Sequence, residues 1–131
     1  MGADHYHATS DPETFTQLVN NFDLIVNTVS AKIDLDAYLG LLKVNGVLVN
    51  VGAPAEPLSL SVGNLLGKRR SFAGSATGGI VETQEMLDFC AEHGLYADVV
   101  VIAADQINDA YERVLASDVR YRFVIDLDTL R

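Results

Sequence analysis

The chain has 131 residues, 49% of them hydrophobic, which is enough for a domain with its own core and too apolar for a disordered tail. Its formal net charge of -9 and pI of about 4.5 argue against nucleic acid and against an anionic membrane surface, both of which attract Lys and Arg. A single cysteine, Cys90, excludes an internal disulfide framework, and no apolar run approaches the ~20 residues of a membrane span.

The opening MGADHYHATSDPE lacks the charged and apolar regions of a signal peptide, and Tyr6 breaks the myristoylation pattern that Gly2 would begin. The expectation is a soluble cytoplasmic protein. His5–Thr9 reads as a short strand. A helix should follow, with Asp11 as its cap, Pro12 in the first position, and Phe15, Leu18, Val19 and Phe22 on one face. Asp23–Thr28 carries an unbroken apolar run, as strands buried on both faces of a parallel sheet do. Leu35, Tyr38, Leu39 and Leu42 give the next helix its stripe, and Asn45-Gly46 ends it. Val47–Val51 is the next strand, stopped by Gly52-Ala53-Pro54.

Residues 55–70 are less regular, with Leu58, Leu60 and Val62 alternating and Leu65-Leu66 closing a short helix. Phe72–Thr77 reads as a short strand before Gly78-Gly79. Thr83–Glu92 reads as a helix burying Met86, Leu87 and Cys90, with Gly94 as its stop. Asp98–Ile102 is a strand. Asp105 caps a helix that should bury Ile107, Ala110, Tyr111, Val114 and Leu115, and Arg122–Ile125 is the closing strand. Strand and helix alternate throughout, which predicts an α/β fold with a mainly parallel sheet.

Few residues invite chemistry by type alone. His5 and His7 would share a strand face and could begin a metal site, but no third ligand is near in sequence, and two polar residues near a chain end is the preferred reading. Cys90 on an apolar helix face behaves as a small hydrophobe, and His93 before Gly94 suits a helix C-terminus. GSATGG at 74–79 lacks both the GxGxxG spacing and the lysine of a P-loop. Lys68-Arg69-Arg70 reads as a solvated turn ahead of a phosphate contact. Arg120 and Arg122 need an anionic partner or a route to solvent, and a pyrophosphate or a surface carboxylate would serve. More suggestive are the strand ends Thr28-Val29-Ser30 and Val51-Gly52-Ala53-Pro54, because open α/β sheets bind ligands beyond the carboxyl ends of their strands. Ordinary connecting loops are the alternative there.

The stretches DLIVNTVS, LDAYLGLLKVNGVLVNVGAP, RRSFAGSATGG, ETQEMLDFCAEHG and ADQINDAYERVLASDVRYRFVID, in this order, resemble the C-terminal part of a zinc-dependent alcohol dehydrogenase. The closest branch is the NADP-preferring, cinnamyl-alcohol-dehydrogenase-like one of the medium-chain dehydrogenase/reductase superfamily. The likeness covers essentially the whole chain. It implies a partial Rossmann-type sheet lacking the first βαβ half, with residues 1–95 in the dinucleotide-binding domain and 96–131 returning to the catalytic, GroES-like domain. In the family, zinc ligands and the glycine-rich phosphate turn lie upstream of positions matching Gly2-Ala3-Asp4, so neither is expected in this chain. The family's cofactor roles carry over by position. Thr28 and Val29 would face NADP(H). Val51, Gly52 and Ala53 would offer backbone hydrogen bonds to the nicotinamide carboxamide. Ala73, Gly74 and Ser75 would lie against the nicotinamide side. Arg122, ahead of Arg120, would reach the pyrophosphate.

Two consequences follow from the resemblance. The chain alone should be inactive as an alcohol dehydrogenase and bind NADP(H) weakly or not at all. A remnant acting as a dimerisation or weak nucleotide-binding module is the alternative. The strand at 23–28 would also lose a neighbour and become an edge needing cover. His5–Thr9 could fill that place across the intervening helix, or a second chain could. A homodimer is expected through residues 58–75 or through that edge.

Overall fold

Unbroken apolar runs build the first sheet of the structure, a computed structural model that describes residues 2–130. The strands β1 (Phe22–Asn27), β2 (Leu42–Asn50) and β3 (Ser71–Gly74) lie in the order β1-β2-β3, all parallel. Val26 pairs with Val49 and Asn27 with Asn50, and Asn50 in turn pairs with Gly74, so the three strands end level with one another. Parallel strands need crossovers. Between β1 and β2 runs α2 (Leu35–Gly40), whose first turn is capped by the Asp34 carboxylate accepting from the Ala37 amide at 3.1 Å. Between β2 and β3 runs α3 (Val62–Leu66).

The core of this unit sits under α2. Leu35, Leu39, Leu42 and Leu48 are fully buried, with Phe22, Ile25, Tyr38, Leu58, Leu60 and Leu65 packed around them. Two polar ties hold the connections. Asp36, on α2, accepts from the Ser61 amide and hydroxyl, both at 2.9 Å, and from Asn64 Nδ2 at 2.8 Å. These donors, the Ser61 amide foremost, hold its carboxyl below the ordinary value of 3.8. Arg70 donates from Nε to the Leu42 carbonyl at 3.0 Å and from Nη2 to Asn20 Oδ1 at 2.9 Å, so it satisfies carbonyls where α2 turns into β2. The reading of 68–70 as a solvated turn is therefore corrected at Arg70, whose guanidinium is tied into the chain.

Three local expectations are also corrected. His5–Thr9 forms no strand and pairs with nothing in the sheet. The chain instead turns there: the Ala8 carbonyl accepts from the Asp11 amide and from Thr14 Oγ1, and Tyr6 is 88% exposed. The following helix shrinks to α1 (Thr14–Gln17), because Asn20 adopts a left-handed φ of 57° and donates its amide to the Gly40 carbonyl. The helix expected to reach Asn45 stops at Gly40. Leu42 already opens β2, and the pairing with β1 slips between Phe22↔Leu42 and Leu24↔Val47, accommodating extra residues around Asn45 with its φ of 63°.

The chain divides into two compact units, the first ending at Thr77 and the second beginning at Gly78. The second contains α4 (Ile80–Glu92), β4 (Val100–Ala103), α5 (Ile107–Leu115) and β5 (Phe123–Asp126), with 3-10 turns at Ala104–Gln106 and Leu127–Thr129. Its two strands are parallel, with Ile102 facing Ile125 in the register. Asp105 does not cap α5; it lies in the 3-10 turn, where Gln106 Oε1 accepts from the Ala103 amide at 2.9 Å. Ile102 and Ala110 are the buried hydrophobics among the described residues of this unit. The expected burial of Met86, Leu87, Ile107, Tyr111, Val114 and Leu115 is not met, since these are 41–67% exposed. Cys90 is half-buried. A two-stranded sheet offers too little surface to cover an amphipathic helix.

Candidate functional site: the carboxyl ends of the first sheet

The level strand ends create a ledge. After Asn27 the backbone continues through Thr28, Val29 and Ser30; after Asn50 it continues through Val51, Gly52 and Ala53. The two loops are laced together. The Val51 and Gly52 amides both donate to the Asn27 carbonyl, at 2.9 and 3.1 Å, and the Ala53 amide donates to Ser30 Oγ at 3.2 Å. On the far side, the Ser75 amide donates to the Asn50 carbonyl at 3.2 Å. Gly52 runs hard against the neighbouring loop. A Cβ there would lie 2.2 Å from the Val29 carbonyl oxygen, so only glycine fits.

Of the expected cofactor residues, Thr28, Val29, Val51, Gly52, Ala53, Ala73, Gly74 and Ser75 are thus brought to one end of one sheet. Thr28, Val29, Val51, Ala53 and residues 73–75 are open to solvent. Arg122 belongs to the second unit. There it lines an apolar groove with Ile102, Ala110, Tyr111 and Phe123, its carbonyl accepting from the Val100 amide at 3.0 Å. Arg120 lies in the bend before β5.

Sequence reading missed two ledge residues. Asn27 is 7% exposed and donates from Nδ2 to Asn50 Oδ1 at 2.6 Å. Asn50 donates from Nδ2 to the Gly52 carbonyl at 2.6 Å. Ser30, part of the strand end already singled out, accepts from the Ala53 amide. The signal was present in IVN and LVN, two apolar strands each closed by an asparagine, a residue that strands otherwise avoid.

Chemically, the ledge offers a ligand small apolar surface and backbone oxygen. The amides of residues 51–53 are all engaged inside the chain, so carbonyls are what this loop can still present. The apolar faces of Val29 and Val51 suit a flat ring. Zinc does not fit: among the described residues no group of three or more His, Cys, Asp and Glu side chains is placed to hold a metal ion. His5 and His7 have ring centroids 6.5 Å apart, with no third ligand. No helix among the described residues is long and apolar enough to cross a membrane.

A parallel sheet with alternating helices and a ledge at its carboxyl ends defines a Rossmann-type α/β protein, of which the described residues form a part. The chain belongs to the zinc-binding dehydrogenase family, which matches residues 1–92. It is 63% identical over 130 residues to a probable formaldehyde dehydrogenase of Bacillus subtilis, covering 99% of this chain and 37% of that protein. It is 61% identical to NADP-dependent alcohol dehydrogenase C 1 of Mycolicibacterium smegmatis, covering all of this chain and 38% of the relative. Among solved structures, a cinnamyl alcohol dehydrogenase of Sorghum bicolor superposes with a TM-score of 0.87 at 40% identity, over 97% of this chain and 36% of that one. The 131 residues therefore span little more than a third of the length of these relatives.

Proposed function

We propose that this chain forms the nicotinamide-side part of the nucleotide site of an NADP(H)-using alcohol dehydrogenase, one that interconverts alcohols and aldehydes. The ledge carries the reading. Its amides are spent within the chain, so residues 51–53 would accept hydrogen bonds from the amino group of a carboxamide. Thr28 and Val29 would lie under the ring, and Ala73, Gly74 and Ser75 would bound it. When bound, the cofactor would supply the hydride chemistry, while these residues would orient its ring and shield one face from water. The family's zinc has no ligand set among the described residues, so the 131-residue chain should not turn over alcohol by itself. Without a glycine-rich phosphate turn, NADPH affinity should be weak. A pyrophosphate contact from Arg122 rests on the resemblance; lower NADPH affinity in Arg122→Gln would support it.

NADPH titration followed by amide NMR tests the reading. Shifts confined to residues 28–30, 51–53 and 73–75, at millimolar rather than micromolar ligand, are expected. Saturating NADPH that leaves these amides unmoved would overturn it.

A second reading is favoured by one observation. β1 pairs only with β2, so its other edge is open among the described residues, and Leu24 and Val26 are 56% and 55% exposed. An open apolar edge recruits another strand. The chain would then act as a dimerisation module through β1, or through residues 58–75. A monomer at all accessible concentrations would exclude it.

A further inference from the structure

Asn27 and Asn50 end their strands side by side, and their amide groups form a directed relay across the ledge. The Val29 amide donates to Asn27 Oδ1 at 3.1 Å. Because a backbone N–H needs an acceptor, Asn27 must aim its Nδ2 the other way, and it donates to Asn50 Oδ1 at 2.6 Å. Asn50 is then forced to aim its own Nδ2 onward, and it donates to the Gly52 carbonyl at 2.6 Å. A backbone donor at one end and a backbone acceptor at the other fix both side chains. The relay starts in the loop after β1 and ends in the loop after β2.

We propose that Asn27 and Asn50 are positioning residues that preset the ledge in its ligand-ready shape. They touch the ligand only through the backbone they hold. Three features support this. Asn27 is buried, and both its Oδ1 and its Nδ2 have a partner within the ledge. Gly52 must pass within a hydrogen atom's reach of the Val29 carbonyl, a close approach that something has to enforce. The relay also occupies one lone pair of the Gly52 carbonyl, which leaves the Val51 and Ala53 carbonyls as the less encumbered acceptors. The ledge's selectivity for an amino group over a carboxylate would follow. The inference rests on the proposed nicotinamide reading, and its test separates the two.

Amide hydrogen exchange and NADPH titration should be measured on the 131-residue chain and three variants. Asn27→Ala removes the relay. Asn50→Asp is nearly isosteric, keeps the acceptor for Asn27 and cuts the link to Gly52. Leu39→Val loosens the core under α2 and serves as a stability control. In Asn50→Asp, exchange at Val51, Gly52 and Ala53 should rise at least tenfold relative to Val47 and Leu48, and NADPH affinity should fall about tenfold. Asn27→Ala should add Val29 to the released amides. Leu39→Val should leave the NADPH affinity, read well below its unfolding temperature, within twofold of the parent. Unchanged ledge exchange in Asn50→Asp would overturn the positioning role, as would an equal loss of affinity in Leu39→Val. Ledge exchange that responds as expected in a chain that never binds NADPH would preserve the relay as a device and sink the nicotinamide reading instead.

Discussion

Arg70 belongs to the one basic cluster of an acidic chain, yet it serves the backbone. Its guanidinium meets the carbonyls where α2 ends, with Nη1 also donating to the Asn64 carbonyl at 3.4 Å. Charged hydrogen bonds of this kind contribute about 1.5–3 kcal/mol. Arg70→Ala should lower the unfolding free energy of the first unit by about that much in urea titration. Lys at this position should rescue little, since one ammonium lacks the planar fork. Gly52 is the stricter residue. Gly52→Ala forces backbone against backbone, and strain of on the order of 1–3 kcal/mol is expected, together with loss of NADPH-induced shifts at residues 51–53. Retained stability and shifts would mean that the two loops separate easily.

At the scale of elements, α2 and α3 depend on a carboxylate. Asp36 is held below its ordinary value mainly by the Ser61 amide, with Asn64 and the Ser61 hydroxyl adding to it. A lowered folded value means that the contribution is complete above about pH 4, where the unfolded carboxylate is ionised, and fades as pH falls through the folded value. The Ser61 and Asn64 amide resonances should therefore titrate below pH 3.8, and Asp36→Asn should abolish that titration. The same elements show what the sequence discloses. The five strands are readable by place, because apolar runs such as LIV and VLV leave little choice, but not always by bounds: β2 opens at Leu42, five residues before the expected Val47, and β3 ends at Gly74, short of Thr77. Helix lengths are not, because Leu39 and Leu42 keep a helical spacing while Leu42 already belongs to β2. Arg70 and Asn20 decide that break from across the fold. Burial on α4 and α5 was equally illegible. Periodicity identifies an apolar face but not whether anything covers it. On the ledge, the loops could be found from strand ends alone, whereas the asparagine relay depends on register.

Taken as a whole, the molecule has its buried leucines in one unit and, among the described residues, only Ile102 and Ala110 buried in the other. Stability should be divided accordingly. Amides of β2 should exchange at least a hundredfold more slowly than those of β4, α5 and β5, and comparable protection would show that the second unit has cover not seen in its described residues. The open edge of β1 makes a separate claim. Val26→Lys places a charge on the exposed strand, a standard defence against edge pairing. If association runs through β1, this variant should sediment as a smaller species than the parent at the same concentration.

The slip in pairing between β1 and β2 has a practical use. Residues 43–46 stand at the start of β2, while the ledge stands past its end, roughly 20 Å away at the rise of an extended strand. Val44 is 55% exposed on that detour. With Cys90 replaced by serine, Val44→Cys would give a single attachment point for a fluorophore or a surface tether. Immobilised there, the chain would present its strand ends outward, so ligands could be screened against the ledge without the handle interfering.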